Sequence, residues 1–161
     1  MTSSEAQAPD TLSVHVSRLV RAPREVVFDA WIKPQIRRQW WLTGREEGLK
    51  TCDIDARVGG RYCLSQIGGG EKSTVAEDYE WIMTGEFLEV DRPQRLVFTW
   101  NVNHPDEPAN EERVTIDFNE VADGTEVVIT HEGILSGNLR DGTEHGWTTL
   151  VESLAKVLEE S

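Results

Sequence analysis

Tryptophan is the residue type with the most to offer a ligand here. The chain carries six in 161 residues, and Trp40, Trp41, Trp81, Trp100 and Trp147 are placed where they could line one cavity. An indole has a broad apolar face and a single polar N–H, which suits a planar or apolar molecule held by a few placed polar groups. The competing use of each ring is plain core filling. Among the polar side chains His131 is the most informative. It shares its alternation with Val127 and Ile129, which puts it on the inner face of a strand. A neutral imidazole there could donate to a ligand oxygen, act as a general acid or base, or bond to a neighbour in a purely structural role. A buried polar group without a partner costs roughly 1–3 kcal/mol, so a ligand or a water on His131 is expected. Tyr62 and Gln66 point inward by the same rule, unless a bulge at Gly59-Gly60 reverses that face. Tyr62 would then either orient a ligand through its hydroxyl or sit in the core with a wet tip. Met83, Phe98 and Val151 complete the expected lining.

Other chemistries lack their residues. His104-Pro105-Asp106-Glu107 and His131-Glu132 hold metal-capable groups, but neither has the i, i+4 helical spacing of a zinc protease, and there is no Cys-x-x-Cys. Gly68-Gly69-Gly70 precedes no helix and lacks the Lys-Ser/Thr of a phosphate loop. No Gly-x-Ser-x-Gly elbow exists. No catalytic residue, metal or cofactor is therefore expected. A net charge of −13 opposes binding to nucleic-acid phosphates or anionic membranes. No run of 18 apolar residues is available to span a bilayer, and the first ten residues have neither the basic nor the apolar region of a signal peptide. Cys52 and Cys63 flank the Gly59-Gly60 turn. A tight hairpin would pair positions summing to about 119, whereas these sum to 115, so two reduced thiols in a cytoplasmic protein are expected.

The elements that must position these residues follow from periodicity. Residues 11–20, 51–58, 61–67, 79–90, 95–103, 113–119 and 125–133 alternate between apolar and polar and read as strands. After the first, Ala22-Pro23 opens a helix whose inner stripe is Val26, Val27, Ala30 and Trp31, and Pro34 ends it. A short helix over 35–41 follows. In the last stretch, 141–160, Trp147, Leu150, Val151, Leu154, Val157 and Leu158 form one stripe of a long helix, with Asp141 and Glu144 resembling a capping box. Burial of its larger side chains contributes about 1.5–3 kcal/mol each, so this helix needs a wide apolar surface. Residues 1–10 read as a disordered tail, 68–78 as a flexible loop and 104–112 as an acidic loop. The remainder, 11–161, reads as one domain. Hairpin-length connections imply an antiparallel meander with one apolar face.

The order and spacing of several short stretches resemble the START-like superfamily, also called SRPBCC. Within it they are most similar to the domain of the heat-shock protein 90 ATPase activator homologue family. The stretches are 22–30 (APREVVFDA), Trp40-Trp41, 55–61 (DARVGGR), 85–90 (GEFLEV), 96–100 (LVFTW), 124–127 (GTEV) and Gly146-Trp147. The resemblance implies an α+β helix-grip fold: a curved antiparallel sheet wrapped around a long C-terminal helix, with two short helices after the first strand. It also implies a cavity between sheet and helix, bounded by that helix and the Trp40-Trp41 segment. The expected function is non-enzymatic binding of a small hydrophobic or aromatic molecule there. Two alternatives stay open: a stress-related, co-chaperone-like interaction module that binds a chaperone, and a cyclase- or hydratase-type enzyme using His131 as acid/base. A homodimer is compatible with the sequence.

Overall fold

The computed structural model describes residues 11–41, 48–67, 79–104 and 110–160. The tail at 1–10, the loop at 68–78 and most of the acidic loop after His104 lie outside the described residues. The chain runs β1 (Leu12–Val20), α1 (Arg24–Ile32), α2 (Pro34–Trp40), β2 (Thr51–Ile54), β3 (Arg61–Ile67), β4 (Glu80–Asp91), β5 (Arg95–Val102), β6 (Glu112–Val121), β7 (Gly124–Ile134) and α3 (Gly137–Glu159). The seven strands form one antiparallel sheet in the order β1-β7-β6-β5-β4-β3-β2. The meander β2 to β7 is closed at one end by β1, which pairs with β7 from Val14↔His131 to Val20↔Thr125. This is the expected α+β helix-grip fold.

The core lies between the inner sheet face and the helices. Val14, Leu64, Val114, Ile116, Phe118, Val127 and Ile129 face Val27, Phe28, Trp31, Trp147, Val151 and Leu154, all of them buried. Glu152 and Glu159 on the opposite side of α3 are exposed, as the stripe requires. In α1 the inner stripe includes Phe28, while Val26 is exposed. The first turn starts one residue later than Ala22-Pro23 suggests, and Pro23 serves as the cap. Pro34 opens α2 at its first position as well as closing α1, with Lys33 shared between the two ends. Arg92 forks both oxygens of Asp29 at 2.9 Å, tying α1 to the β4–β5 turn and holding the Asp29 carboxyl below its ordinary range.

The hairpin between β2 and β3 differs from its sequence reading. β2 ends at Ile54, and the register is Thr51↔Ser65 through Ile54↔Tyr62, a sum of 116. The connection is long, with Gly59 at φ 85°, and Gly59 N–H bonds across to the Phe87 carbonyl of β4. Cys52 lies opposite Leu64 and Cys63 opposite Asp53, so the thiols point to opposite faces and both are free.

The sheet bends where β4 meets β5. The pairs Thr84↔Asn101 and Phe87↔Phe98 flank a stretch in which Thr99 turns its hydroxyl, not its carbonyl, to the Glu86 N–H at 2.9 Å. The Thr99 carbonyl accepts from the Tyr62 hydroxyl at 2.6 Å. Gly85 lies under that carbonyl, where no side chain would fit.

Candidate functional site

A cavity of about 430 Å³ opens between the sheet and the first turns of α3. Beyond Gly85 the inner face is filled by Tyr62, Phe87 and Phe98, whose rings pack at 5.4–5.9 Å. On the other side the cavity lies between the inner face and the first turns of α3. Trp41, Trp81, Trp100 and Trp147 supply four indole walls, with Met83, Val102, Leu135, Leu139 and Leu150 between them. Trp41, Trp100 and Trp147 form a mutually packed triangle, with centroids 5.6–6.2 Å apart.

Of the residues expected to line a cavity, Trp41, Trp81, Met83, Trp100, His131 and Trp147 are brought together around it, and so is Gln66. Trp40, Tyr62, Phe98 and Val151 are not. Trp40 is fully buried against Trp31 at 4.8 Å and donates its indole N–H to the Ala30 carbonyl, joining α2 to α1. Tyr62 spends its hydroxyl on Thr99, and burial pushes its phenol above the ordinary range. Phe98 belongs to the packed end, and Val151 lies one turn too far along α3, in the core. Arg37 is buried beneath the cavity floor, its guanidinium 4.3 Å from the Trp41 ring and bonded at 2.5 Å to the Trp31 carbonyl. Burial pulls it down to about 10, which leaves it charged at neutral pH.

His131 sits on the cavity wall but is only 1% exposed, and protein groups occupy both of its ring nitrogens. Trp147 donates its indole N–H to Nδ1 at 2.9 Å, and Nε2 lies 2.6 Å from Glu112 Oε1. The expectation that a ligand or water would satisfy the imidazole is corrected by these two bonds. Glu112 in turn accepts from Asn110 Nδ2 at 3.2 Å on its other oxygen, and Asn110 also donates to the Gly133 carbonyl at 2.8 Å.

Glu112 and the mouth-forming residues of α3 were not expected at the site. Glu112 falls at the end of the stretch that reads as an acidic loop, although the Val114-Ile116-Phe118 alternation extended back by two residues reaches it; it pairs with Trp100 as the first residue of β6. The helix starts at Gly137, four residues before the expected start. Its cap is Ser136, whose hydroxyl accepts from Leu139 N–H, rather than an Asp141-Glu144 box. Arg140 instead bonds both of those carboxylates and the Ser13 carbonyl. The extra turn brings Asn138 and Leu139 to the cavity, beside Gly142, Thr143 and Gly146 of the expected helix.

Gly142 and Gly146 are four apart inside α3, and a Cβ built on either meets nothing within 4 Å. Helix-interior glycine costs about 1 kcal/mol relative to alanine. Here no packing contact requires it, and what the absent methyls leave is space at the cavity mouth. Gly142→Ala with Gly146→Ala should therefore raise stability, by up to ~2 kcal/mol for the pair, read as a higher midpoint in chemical unfolding. A fall in the midpoint would show that a contact at these glycines has been missed.

Among the described residues no helix is long and apolar enough to cross a membrane, and no three His, Cys, Asp or Glu side chains gather as a metal-binding group.

Solved structures share this architecture. A protein of Chromobacterium violaceum superposes with a TM-score of 0.77 at 24% identity, over 91% of this chain and 96% of its own. One from Rhizobium leguminosarum gives 0.78 at 19%, over 94% and 97%. The AHSA1-like protein of Aeromonas hydrophila gives 0.71 at 20%, over 92% and 93%. At these identities the likeness establishes the fold alone. Comparison with curated proteins finds no match. The family model described as Activator of Hsp90 ATPase homolog 1-like protein matches residues 21–159, which include both the sheet and the helix that enclose the cavity, and the chain belongs to that family.

Proposed function

We propose that this protein binds a small, largely apolar molecule with a flat or aromatic body between the sheet and α3, and does not transform it. The observation that carries this reading is the cavity of about 430 Å³ with four indoles in its wall. Its size falls in the usual range for small-molecule pockets, ~300–1,000 Å³. Binding without turnover is favoured because both ring nitrogens of His131 are already committed, so the imidazole has no position from which to take a ligand proton.

The test uses N-phenyl-1-naphthylamine, a neutral fluorescent probe. Its emission should rise and shift to the blue with the wild-type chain while tryptophan emission is quenched. Gly142→Leu places a side chain in the cavity mouth, where the helix has room for it, and should weaken the probe by about tenfold or more with the circular dichroism unchanged. If wild type fails to bind the probe, or the leucine variant binds it equally well, the cavity is not a binding site and the interaction-module reading takes its place.

A further inference from the structure

Several neutral polar side chains, among them Gln66, Asn138 and Thr143, interrupt the apolar cavity wall, and Glu112 is its one carboxylate among the described residues. Glu112 faces in from β6 directly opposite Trp100, with its side chain 16% exposed. Both of its oxygens act as acceptors, from His131 and from Asn110, as in an ionised carboxylate. A carboxylate has about four acceptor positions, so about two remain for a ligand.

Trp147 determines what His131 contributes to this group. An indole nitrogen can only donate, so its bond to His131 Nδ1 means that Nδ1 carries no proton. The ring proton is then on Nε2, pointing at Glu112. The imidazole is neutral in this arrangement: it orients the carboxylate without cancelling its charge. No lysine or arginine among the described residues pairs with Glu112. Among the described residues nothing supplies a counter-charge to this partly buried carboxylate, and a cation that did so would offset the cost of its burial.

The indole walls and the overall charge favour the same sign, against the opposing charge of Arg37 buried behind Trp41. Indole faces attract cations within about 6 Å of the ring centre. Arg37 already covers one side of Trp41, which leaves Trp81, Trp100 and Trp147 as the main aromatic walls. The net charge of −13 further raises the local concentration of cations.

We propose that the ligand is an organic cation: an amine whose ammonium group pairs with Glu112 and whose apolar body lies among the indoles. This rests on the reading of the cavity as a binding site.

Three probes of one shape separate the two ideas: 1-naphthylmethylamine, 1-naphthalenemethanol and 1-naphthoate, titrated against the full chain by tryptophan quenching and calorimetry. Wild type should bind the amine at least about tenfold more tightly than the alcohol, with the carboxylate weakest. Glu112→Gln should bring the amine down to the level of the alcohol, while the alcohol stays within about twofold and so reports an intact cavity. Glu152→Gln removes an exposed charge on the outer side of α3 and should leave the preference in place. An alcohol bound as tightly as the amine, or an amine preference that survives Glu112→Gln, overturns the cation proposal and leaves the cavity standing. Failure of all three probes to bind removes the cavity reading and this proposal with it.

Discussion

Replacing Gly85 by alanine should cost roughly 2–6 kcal/mol, a large part of the ~5–15 kcal/mol that holds a protein of this size folded. A Cβ at this position would lie 1.9 Å from the Thr99 carbonyl oxygen and 2.7 Å from the Tyr62 hydroxyl. The first clash is with backbone in the middle of a sheet, so no rotamer change relieves it. Forcing β4 and β5 apart costs about 1–3 kcal/mol as overpacking. Losing the Tyr62–Thr99 hydrogen bond at 2.6 Å leaves a buried carbonyl unpaired, for about 1–3 kcal/mol more. Chemical unfolding of Gly85→Ala, Tyr62→Phe and the double variant separates the terms. Tyr62→Phe alone should show only the smaller loss, and adding it to Gly85→Ala should rescue nothing, because the closer contact is with the backbone. A Gly85→Ala protein within 1 kcal/mol of wild type would mean that the strands do not approach as described. The bend matters for the ligand because it separates the packed Phe87–Phe98 end of the inner face from the open Trp100 end.

The second large effect is expected at Trp147, which is both wall and positioning group. Trp147→Ala removes the ring that contacts Trp31, Trp41 and Trp100 at 5.6–5.9 Å, and a buried tryptophan truncated to alanine typically costs about 3–5 kcal/mol. Trp147→Phe keeps most of that contact and deletes the donor to His131 Nδ1. Its loss should be smaller, about 1–3 kcal/mol for an unpaired buried acceptor. The two variants also differ from a simple packing defect in what they do to the imidazole. Long-range nitrogen–proton correlation spectra of wild type should show His131 with a bare Nδ1 and a protonated Nε2. Once the indole N–H is gone, that form loses its enforcement and the other tautomer should become visible. A wild-type spectrum with a proton on Nδ1 would contradict the chain of bonds from Trp147 to Glu112.

Much of the architecture could be read without coordinates because its cause is local. Alternation such as Val114, Ile116 and Phe118 marks a half-buried strand whatever it pairs with, and the stripe from Trp147 to Leu158 marks a helix lying on a surface. Short connections then leave few topologies beyond the observed meander. Assigning His131 to the inner face needed nothing more than counting by twos from Val127.

The sequence is least legible where local signals are weak or conflict. Gly137 and Asn138, both poor helix formers, conceal the first turn of α3, although Ser136 is a good cap and Leu139 begins the same stripe that Trp147 continues. The charge of Glu112 suggests a solvent-facing loop, whereas the alternation of β6 turns it inward.

Other features had no sequence signature. Trp40 and Trp41 are neighbours of identical type, yet one is core and the other is cavity wall. Trp41 lies just past the last turn of α2, and its ring swings towards Trp147, while Trp40 turns back to bond α1. Phe98 and Trp100 share a strand face and are divided only by the bend at Gly85, which depends on how closely Thr99 approaches from another strand. Periodicity tells which side of an element is apolar. Where along that side the helix lifts away, and which partner each nitrogen of His131 finds, depends on contacts between residues far apart in the chain, such as Glu112, His131 and Trp147, and those exist only once the sheet is bent and the helix is laid across it.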